Sequence, residues 1–496
     1  MRILLSCLLF PLMFVPGVFA YSAVQDTLSL TLEECIRIAQ NESPDAKIVE
    51  SNFGMQHWQY RAFQASFLPQ FGLTAEVPGL ERAINPIIQD DGSIRYQSQS
   101  QAQSSVGLSL SQNIPLTGGR VAISSEINRV DLFGTGGNSE YLWRARPMVL
   151  GITQPVFQFN AQKWNREIET LRYEMRTKQY TEDKLDIAID VTRQFFDLYI
   201  AKIDLEIARF NASINDTIYT ISKGRYTVGN IAENDLLQSE LALMNARTQF
   251  QSTLLEYEQA EADLKITLGI PVRKKIDILP PLEFPVIESD PEFAVDRAMA
   301  NRSNIIAYRI QQKMAEQDVA QAKSNAGLSA TLMANFGYNK TASEFSDLYT
   351  DPLDQQYVNM QFEFPVFQWG QGQARIEAAK AAQERARVEI QLSERRFKQE
   401  VKSQVREFQQ LREQLRLDAK ADTIAQRRFE VTKNRYLIGK VDITNMQIAQ
   451  NERARARQKY FQTLRNYWTA YYRLQRLTGY DFRFNQPIRF AHPDTE

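Results

Sequence analysis

Histidine and cysteine are almost missing from this 496-residue chain, at two each. With only His57 and His492, no Ser-His-Asp or Cys-His constellation can be assembled, and no Cys or His cluster has metal-ligand spacing. Only Cys35 lies beyond the first 20 residues, so that part of the chain forms no internal disulfide and must be held by packing and association. An excess of one charge is also missing. The 58 basic and 59 acidic residues leave a net charge of −1, which argues against a nucleic-acid partner. The nearest phosphate-loop mimics, Pro115–Gly119 (PLTGG) and Trp369–Gln373 (WGQGQ), lack the lysine of a nucleotide loop. These absences leave no catalytic, cofactor or metal site to assign, and the chain is not read as an enzyme.

Long apolar runs are confined to the start. Arg2 is followed by ILLSCLLFPLMFVPGVFA, with Val18 and Ala20 at the small positions of a signal-peptidase site, so residues 1–20 are expected to be a cleaved secretory signal that takes Cys7 with it. The run is short for a membrane anchor and holds Pro11 and Pro16. Further on, no stretch of about 18 apolar residues predicts a transmembrane helix. A secreted chain of this kind is periplasmic, extracellular or an outer-membrane β-barrel, and its strands must decide.

What is present is a duplication. Gln154–Gln162 (QPVFQFNAQ) recurs as Phe364–Gly372 (FPVFQWGQG), and Lys223–Asn230 (KGRYTVGN) recurs as Lys433–Lys440 (KNRYLIGK). Leu264 and Gly269 match Leu474 and Gly479, all at an offset of 210 residues. Near the start, Ile38–Pro44 resembles Ala298–Asn304 at an offset of 260, so the first repeat carries about 50 extra residues. Repeat one is assigned to 28–270, with strands within 66–157 and a long hairpin over 159–268. A linker covers 271–289, and repeat two 290–482 has strands within 327–367 and a hairpin over 371–478. Residues 483–496 are a C-terminal tail.

Each repeat predicts one very long helix, a tight turn and a return helix. Ile189, Phe196, Ile200, Ile203, Ile207, Phe210, Ile214, Ile218 and Ile221 step mostly by threes and fours, the seam of packed helices. About 64 residues at 1.5 Å each span roughly 95 Å. The return helix carries Leu237, Leu241, Met244 and Leu255 on one face, and repeat two repeats the pattern with Phe397, Val401, Val405, Phe408, Leu411 and Leu415. Arg453, Arg455 and Arg457 read as a solvated or subunit-facing helix edge.

The segments between helices alternate with period two: QFGLTAEV from Gln70, VGLSLS from Val106, MVLGIT from Met148, LSATLMANFGY from Leu328 and VNMQFEF from Val358. One face is apolar; the other is Gly, Ser, Thr, Asn or Gln. A half-buried soluble sheet alternates in the same way. Three features favour a membrane barrel: the signal, the small polar face, and the aromatics Trp143, Phe157, Tyr338, Tyr357, Phe367 and Trp369 at strand ends. The extra residues of repeat one hold a candidate pair, 104–114 and 120–127, about the turn PLTGG, with outer loops expected at 78–103 and 132–146. That gives four to six transmembrane strands per chain, too few to close a barrel alone. Several copies must share one.

These features resemble the TolC-like outer-membrane factor family over roughly 28–482. The marks are the duplication, the junctions PVFQFN and PVFQWGQG, the tips RYTVGNIAENDL and RYLIGKVDITNM, and the helix ends LKITLG and LQRLTG. The resemblance implies a mainly α chain whose coiled-coil hairpins form a periplasmic α-barrel, and whose strands contribute to the shared β-barrel of a homotrimer in outer-membrane lipid. It implies an exit duct of a tripartite efflux pump or type I secretion system, reached through a periplasmic adaptor and an inner-membrane transporter. A barrel-anchored trimeric structural or adhesive coiled coil is the alternative, but helices that return to the membrane leave no exposed stalk. Arg225, Tyr226, Gly229, Arg435, Tyr436 and Gly439 are expected at the tips, as turn chemistry and as adaptor contacts. Well-known members close the tunnel with aspartates six and nine residues after the second tip glycine. Here those places hold Asn445 and Ile448, and Asp235, six after Gly229, matches a gate position. Asp235 is expected to pair with Lys440 or Arg435 of a neighbouring hairpin.

Overall fold

A computed structural model of the chain describes residues 28–133, 139–281 and 290–491. The expected signal 1–20, part of the linker, part of the 132–146 loop and the last five residues with His492 lie outside the described residues. Strand β1 (Leu28–Thr31) leads into helices α1 (Leu32–Glu42) and α2 (Pro44–Ala65). Strands β2 (Gln70–Ile88), β3 (Ile94–Ile114), β4 (Gly119–Phe133) and β5 (Ser139–Val156) follow, then the hairpin of α3 (Ala161–Thr227) and α4 (Glu233–Leu268). After β6 (Ile276–Leu279), the second half supplies α5 (Pro291–Asn301), α6 (Ser303–Asn325), β7 (Ser329–Ala342), β8 (Leu353–Glu363), α7 (Gln371–Leu437), α8 (Ile443–Thr478) and the short β9 (Tyr480–Asp481) and β10 (Gln486–Pro487).

The duplication is visible in the element bounds. Both ends of α3 and α7, and both ends of α4 and α8, are 210 residues apart. The starts of α1 and α5, and of α2 and α6, are 259 apart rather than 260, a one-residue shift from the sequence match. Local chemistry fixes these starts. Thr31 and Glu34 form a capping box on α1, while Ser43 and Asp290 accept from backbone amides ahead of Pro44 and Pro291. Arg302, which precedes α6, makes no side-chain cap. A carboxylate from another helix fills the place: Glu182 of α3 accepts from Ser303 N at 2.8 Å and Oγ at 3.0 Å, and pairs with Arg302 at 3.0 Å. An anion at a helix N-terminus is favourable, and this one neutralises a buried guanidinium as well.

The six long strands form one antiparallel sheet in the order β2-β3-β4-β5-β7-β8. Residues directly opposite each other share a face. Phe71, Leu110, Ile123, Leu150 and Phe336 are successive partners across five strands, and one residue along, Gly72, Ser109, Ser124, Val149 and Gly337 line the other face. An apolar wall thus backs a small and polar one, as a strand set between lipid and water requires. The candidate pair in the extra residues is β3 and β4, joined by PLTGG, so the sheet has six strands among the described residues. β5 slips register between Ala145 and Val149, where Pro147 has no N–H to give to a ladder. Across from the slip, a Cβ on Gly337 would lie 2.2 Å from the Met148 carbonyl oxygen, so only glycine fits.

The loop expected at 78–103 is mostly strand. β2 and β3 pair through Ile88 and Ile94, leaving a turn at 89–93. Likewise β4 runs to Phe133 and β5 starts at Ser139. The apolar residues of this stretch, Leu80, Ile84, Ile88, Ile94 and Tyr96, are interrupted on their own face by Arg82, Pro86, Ser98 and Ser100, which breaks the period to be read.

The main core lies where the helices meet the β1–β6 pair. Phe195, Phe196, Phe408, Leu415, Tyr467 and Trp468 are buried there beside Leu32, Cys35 and Ala39. Phe408 and Tyr467 rings lie 4.8 Å apart, and Tyr199 and Phe461 4.9 Å. Truncating any of the fully buried rings costs about 3–5 kcal/mol. The return-helix stripe behaves differently. Leu237, Leu241, Met244 and Leu255 are 56–66% exposed, so α4 does not bury them within the chain. Of the arginine edge, Arg453 and Arg457 are half-buried within the chain. Arg453 sits 4.6 Å from both the Phe210 and Phe429 rings, and Arg457 pairs with Asp422 at 2.8 Å; Arg455 alone is exposed. Burial, reinforced by Arg457, holds the Arg453 guanidinium below its ordinary pKa.

Candidate functional site

At 1.5 Å per residue, the 67-residue helices α3 and α7 extend about 100 Å from the sheet. Their far ends reverse through the same turn. Gly229 and Gly439 have φ of 77° and 76°. Gly229 N–H donates to Tyr226 O at 2.9 Å and Asn230 N–H to Arg225 O at 2.8 Å; Gly439 and Lys440 repeat both bonds, each at 2.9 Å, to Tyr436 and Arg435. This is a Schellman closure, and its left-handed residue explains both glycines. Nothing lies within 4 Å of a Cβ on Gly229, so the turn is open to solvent.

The two tips are equal in sequence and unequal in packing. Tyr436 is 4% exposed, within a cluster of Ile218, Phe429, Ile443 and Met446, whereas Tyr226 is 42% exposed. Arg225 turns across to the other hairpin. It donates to Leu437 O at 3.3 Å and stands 5.7 Å from the Tyr436 ring centre. Tyr436 Oη lies 3.4 Å from Ser222 Oγ of α3. Arg225 and Tyr436 therefore tie the hairpins together within one chain. Two exposed apolar side chains at the tips are ones the sequence pattern did not single out: Val228 and Ile438, the residues just before each glycine, are 69% and 66% exposed. Their signal was the aliphatic residue at that place in both copies.

Between the tips lies an open cleft of about 810 Å³, lined by Asp235, Arg428, Arg435, Lys440, Asp442 and Asn445 among others. Asp235 faces it from the first turn of α4, but makes no ion pair with Arg435 or Lys440 within the chain among the described residues. Asn445 is not a free polar group. Asp442 caps α8, accepting from Asn445 N at 2.7 Å and from Asn445 Nδ2 at 3.0 and 3.1 Å. Sequence reasoning missed Asp442. Its counterpart Ala232 gives no side-chain cap to α4, so each tip carries a cleft-facing aspartate at a different step of its helix start. Ile448, one turn further along α8, is 43% exposed. The helices also touch near here, through Gln238 to Thr444 and Gln447, each at 3.4 Å.

An antiparallel sheet with one apolar and one small polar face, continued into two long helical hairpins, is the architecture of an outer-membrane channel protein. The outer membrane efflux protein family model matches residues 134–269 and 294–480, and the chain belongs to that family. Solved structures share its fold. The CmeC outer-membrane channel of Campylobacter jejuni is 16% identical with a TM-score of 0.64, over 90% of this chain and 85% of that one. The outer membrane protein VceC of Vibrio cholerae is 14% identical with a TM-score of 0.64, over 91% and 96%. The MtrE outer-membrane channel of Neisseria gonorrhoeae in its open state is 14% identical with a TM-score of 0.60, over 90% and 88%. No curated protein sequence matches the chain. The protein is an outer-membrane efflux channel, with its strands in the outer membrane and its helices extending into the periplasm.

Proposed function

We propose that three copies of the chain close one barrel and one helical tunnel, and that this homotrimer is the exit duct of a tripartite efflux pump or type I secretion system. The observation that carries the reading is the open sheet. Its outer strands β2 and β8 each pair on one side only. Six strands lie below the eight of the smallest closed membrane barrels, and an unpaired edge facing lipid leaves N–H and C=O groups unsatisfied. Three chains supply 3 × 6 = 18 strands. The uncovered stripe Leu237, Leu241, Met244 and Leu255 then meets a neighbouring subunit.

In this reading the tips contact a periplasmic adaptor that couples the duct to an inner-membrane transporter. Tyr226, Val228, Arg435 and Ile438, set by the turns at Gly229 and Gly439, form the contact, while Arg225 and Tyr436 hold the hairpins in register. Asp235, Asn445 and Ile448 form the periplasmic constriction, with Asp442 as a further acid. Changing Gly229 and Gly439 together to leucine strains both left-handed turns by about 1–2 kcal/mol each. The double variant is expected to lose export while trimers persist in the membrane, and Val228→Asp with Ile438→Asp to do the same with the turns intact. Normal export by both variants contradicts tip docking.

A further inference from the structure

We propose that the distal half of the β2–β3 hairpin lies on the outer leaflet of the membrane, with its outward face in contact with lipid. A tilted membrane strand needs about 9–11 residues. β2 and β3 have 19 and 21. The apolar wall of the sheet ends at the row Ala75, Val106 and Ile127; two residues further along β4, Arg129 pairs with Asp131 at 2.7 Å and lies 5.1 and 5.4 Å from the Tyr141 and Trp143 rings. That cation and aromatic band is the usual chemistry of a membrane–water boundary. Residues 80–88 and 94–102 lie beyond it, and among the described residues β4 accompanies β3 as far as Ser100.

Beyond the boundary the outward face becomes apolar again. Register keeps Leu80, Ile84 and Ile88 of β2, with Ile94 and Tyr96 of β3, on the face that carries Phe71, Leu73, Leu108 and Leu110 in the wall; the shift between Glu76 and Gly79 preserves this on β2. These five side chains are 60–74% exposed. The opposite face holds Glu81, Gln101 and Gln103, with Gln101 donating to Glu81 at 3.1 Å. A two-stranded ribbon is marginal in water alone, and this one carries an uncovered apolar side. Its continuity with the lipid-facing wall identifies the cover. A ribbon leaning outward from the barrel rim brings that same face down on the bilayer, with Tyr96 and Arg82 suited to the headgroup layer.

The test uses the assembled full-length protein in vesicles of phosphatidylethanolamine and phosphatidylglycerol. Nitroxides are placed at Ile84→Cys and Ile88→Cys, and at Glu81→Cys and Gln101→Cys on the other face. Collision rates with oxygen and with a water-soluble nickel chelate are then compared. The expected result is several-fold lower nickel access and higher oxygen access at 84 and 88 than at 81 and 101. Leu80→Cys and Ile94→Cys should repeat the pattern if an individual label disturbs assembly. Equal nickel access on both faces overturns the proposal. Labels at 84 and 88 that are water-exposed in vesicles yet shielded on whole cells also overturn it, because a protein partner is then the cover.

Discussion

The Arg225 guanidinium donates to the Leu437 carbonyl oxygen at 3.3 Å, crossing from the first hairpin to the last residue of α7 in the second. Its neighbour Tyr436 reaches back to Ser222 at 3.4 Å. These contacts make the two tips one unit at the place where the proposed duct narrows. Arg225→Ala and Tyr436→Phe remove one polar link each, worth about 0.5–1.5 kcal/mol. Each should raise resting single-channel conductance in planar bilayers without dissociating trimers, and Tyr436→Ala, which also empties a buried ring site, should raise it further. Unchanged conductance in all three would show that the hairpins are held elsewhere.

The second prediction concerns charge in the cleft. Asn445 donates a neutral amide to Asp442 and leaves its charge in place, but Arg428, Arg435 and Lys440 line the same cleft and offset the two aspartates. Asn445→Asp replaces that amide with a second carboxylate, and three copies concentrate the potential in a ring. Single channels of the parent should be weakly blocked by trivalent cations from the periplasmic side, and those of Asn445→Asp strongly. Tight block of the parent places the constriction on other residues. Asp235→Ala should raise resting conductance.

The third concerns pH. Burial, reinforced by Asp186 and Glu182, raises the Asp183 carboxyl above its ordinary range, against the opposing pull of Arg476 and Arg176. The folded state then binds the proton more tightly than the unfolded state, so stability from this site falls as pH rises from the unfolded pKa through the folded one. Asp183→Asn should raise the thermal midpoint of the trimer at neutral pH and give no gain in acid below the carboxylate range. A gain of the same size at both pH values would mean that ionisation is not the cause.

The fourth concerns the sheet. With Met148 O 2.2 Å and Val149 Cα 2.8 Å from a Cβ on Gly337, any side chain there forces β5 and β7 apart. Overpacking of this kind typically costs about 1–3 kcal/mol. Gly337→Val should reduce heat-resistant trimers on semi-native gels, whereas Gly79→Ala, where nothing lies within 4 Å, should not. Equal loss in both would point to strand propensity rather than to the close approach.

Much of this architecture can be read from the chain because it is written twice. The Arg-Tyr-x-x-Gly tips locate both reversals, and period-two alternation at Phe71, Leu110, Ile123 and Phe336 locates the wall. Repetition also misleads. Tyr226 and Tyr436 occupy equivalent places, but only Tyr436 is buried, because the second tip packs against α3 and the first has no such neighbour within the chain. Arg453 looks like a surface charge until α3 and α7 bring Phe210 and Phe429 to either side of it. Residues 80–102 resemble a loop because Arg82, Pro86, Ser98 and Ser100 interrupt the apolar face of their ladder. At the tips and at Arg453 the deciding contact lies far away in sequence, and local pattern carries no trace of it.

The central claim is that one chain supplies one third of a barrel. Native mass spectrometry of the protein released from detergent micelles tests it most directly. The account predicts a single species at three times the mass of the mature chain, dissociating only as the sheet unfolds. A folded, stable monomer that conducts ions would contradict it.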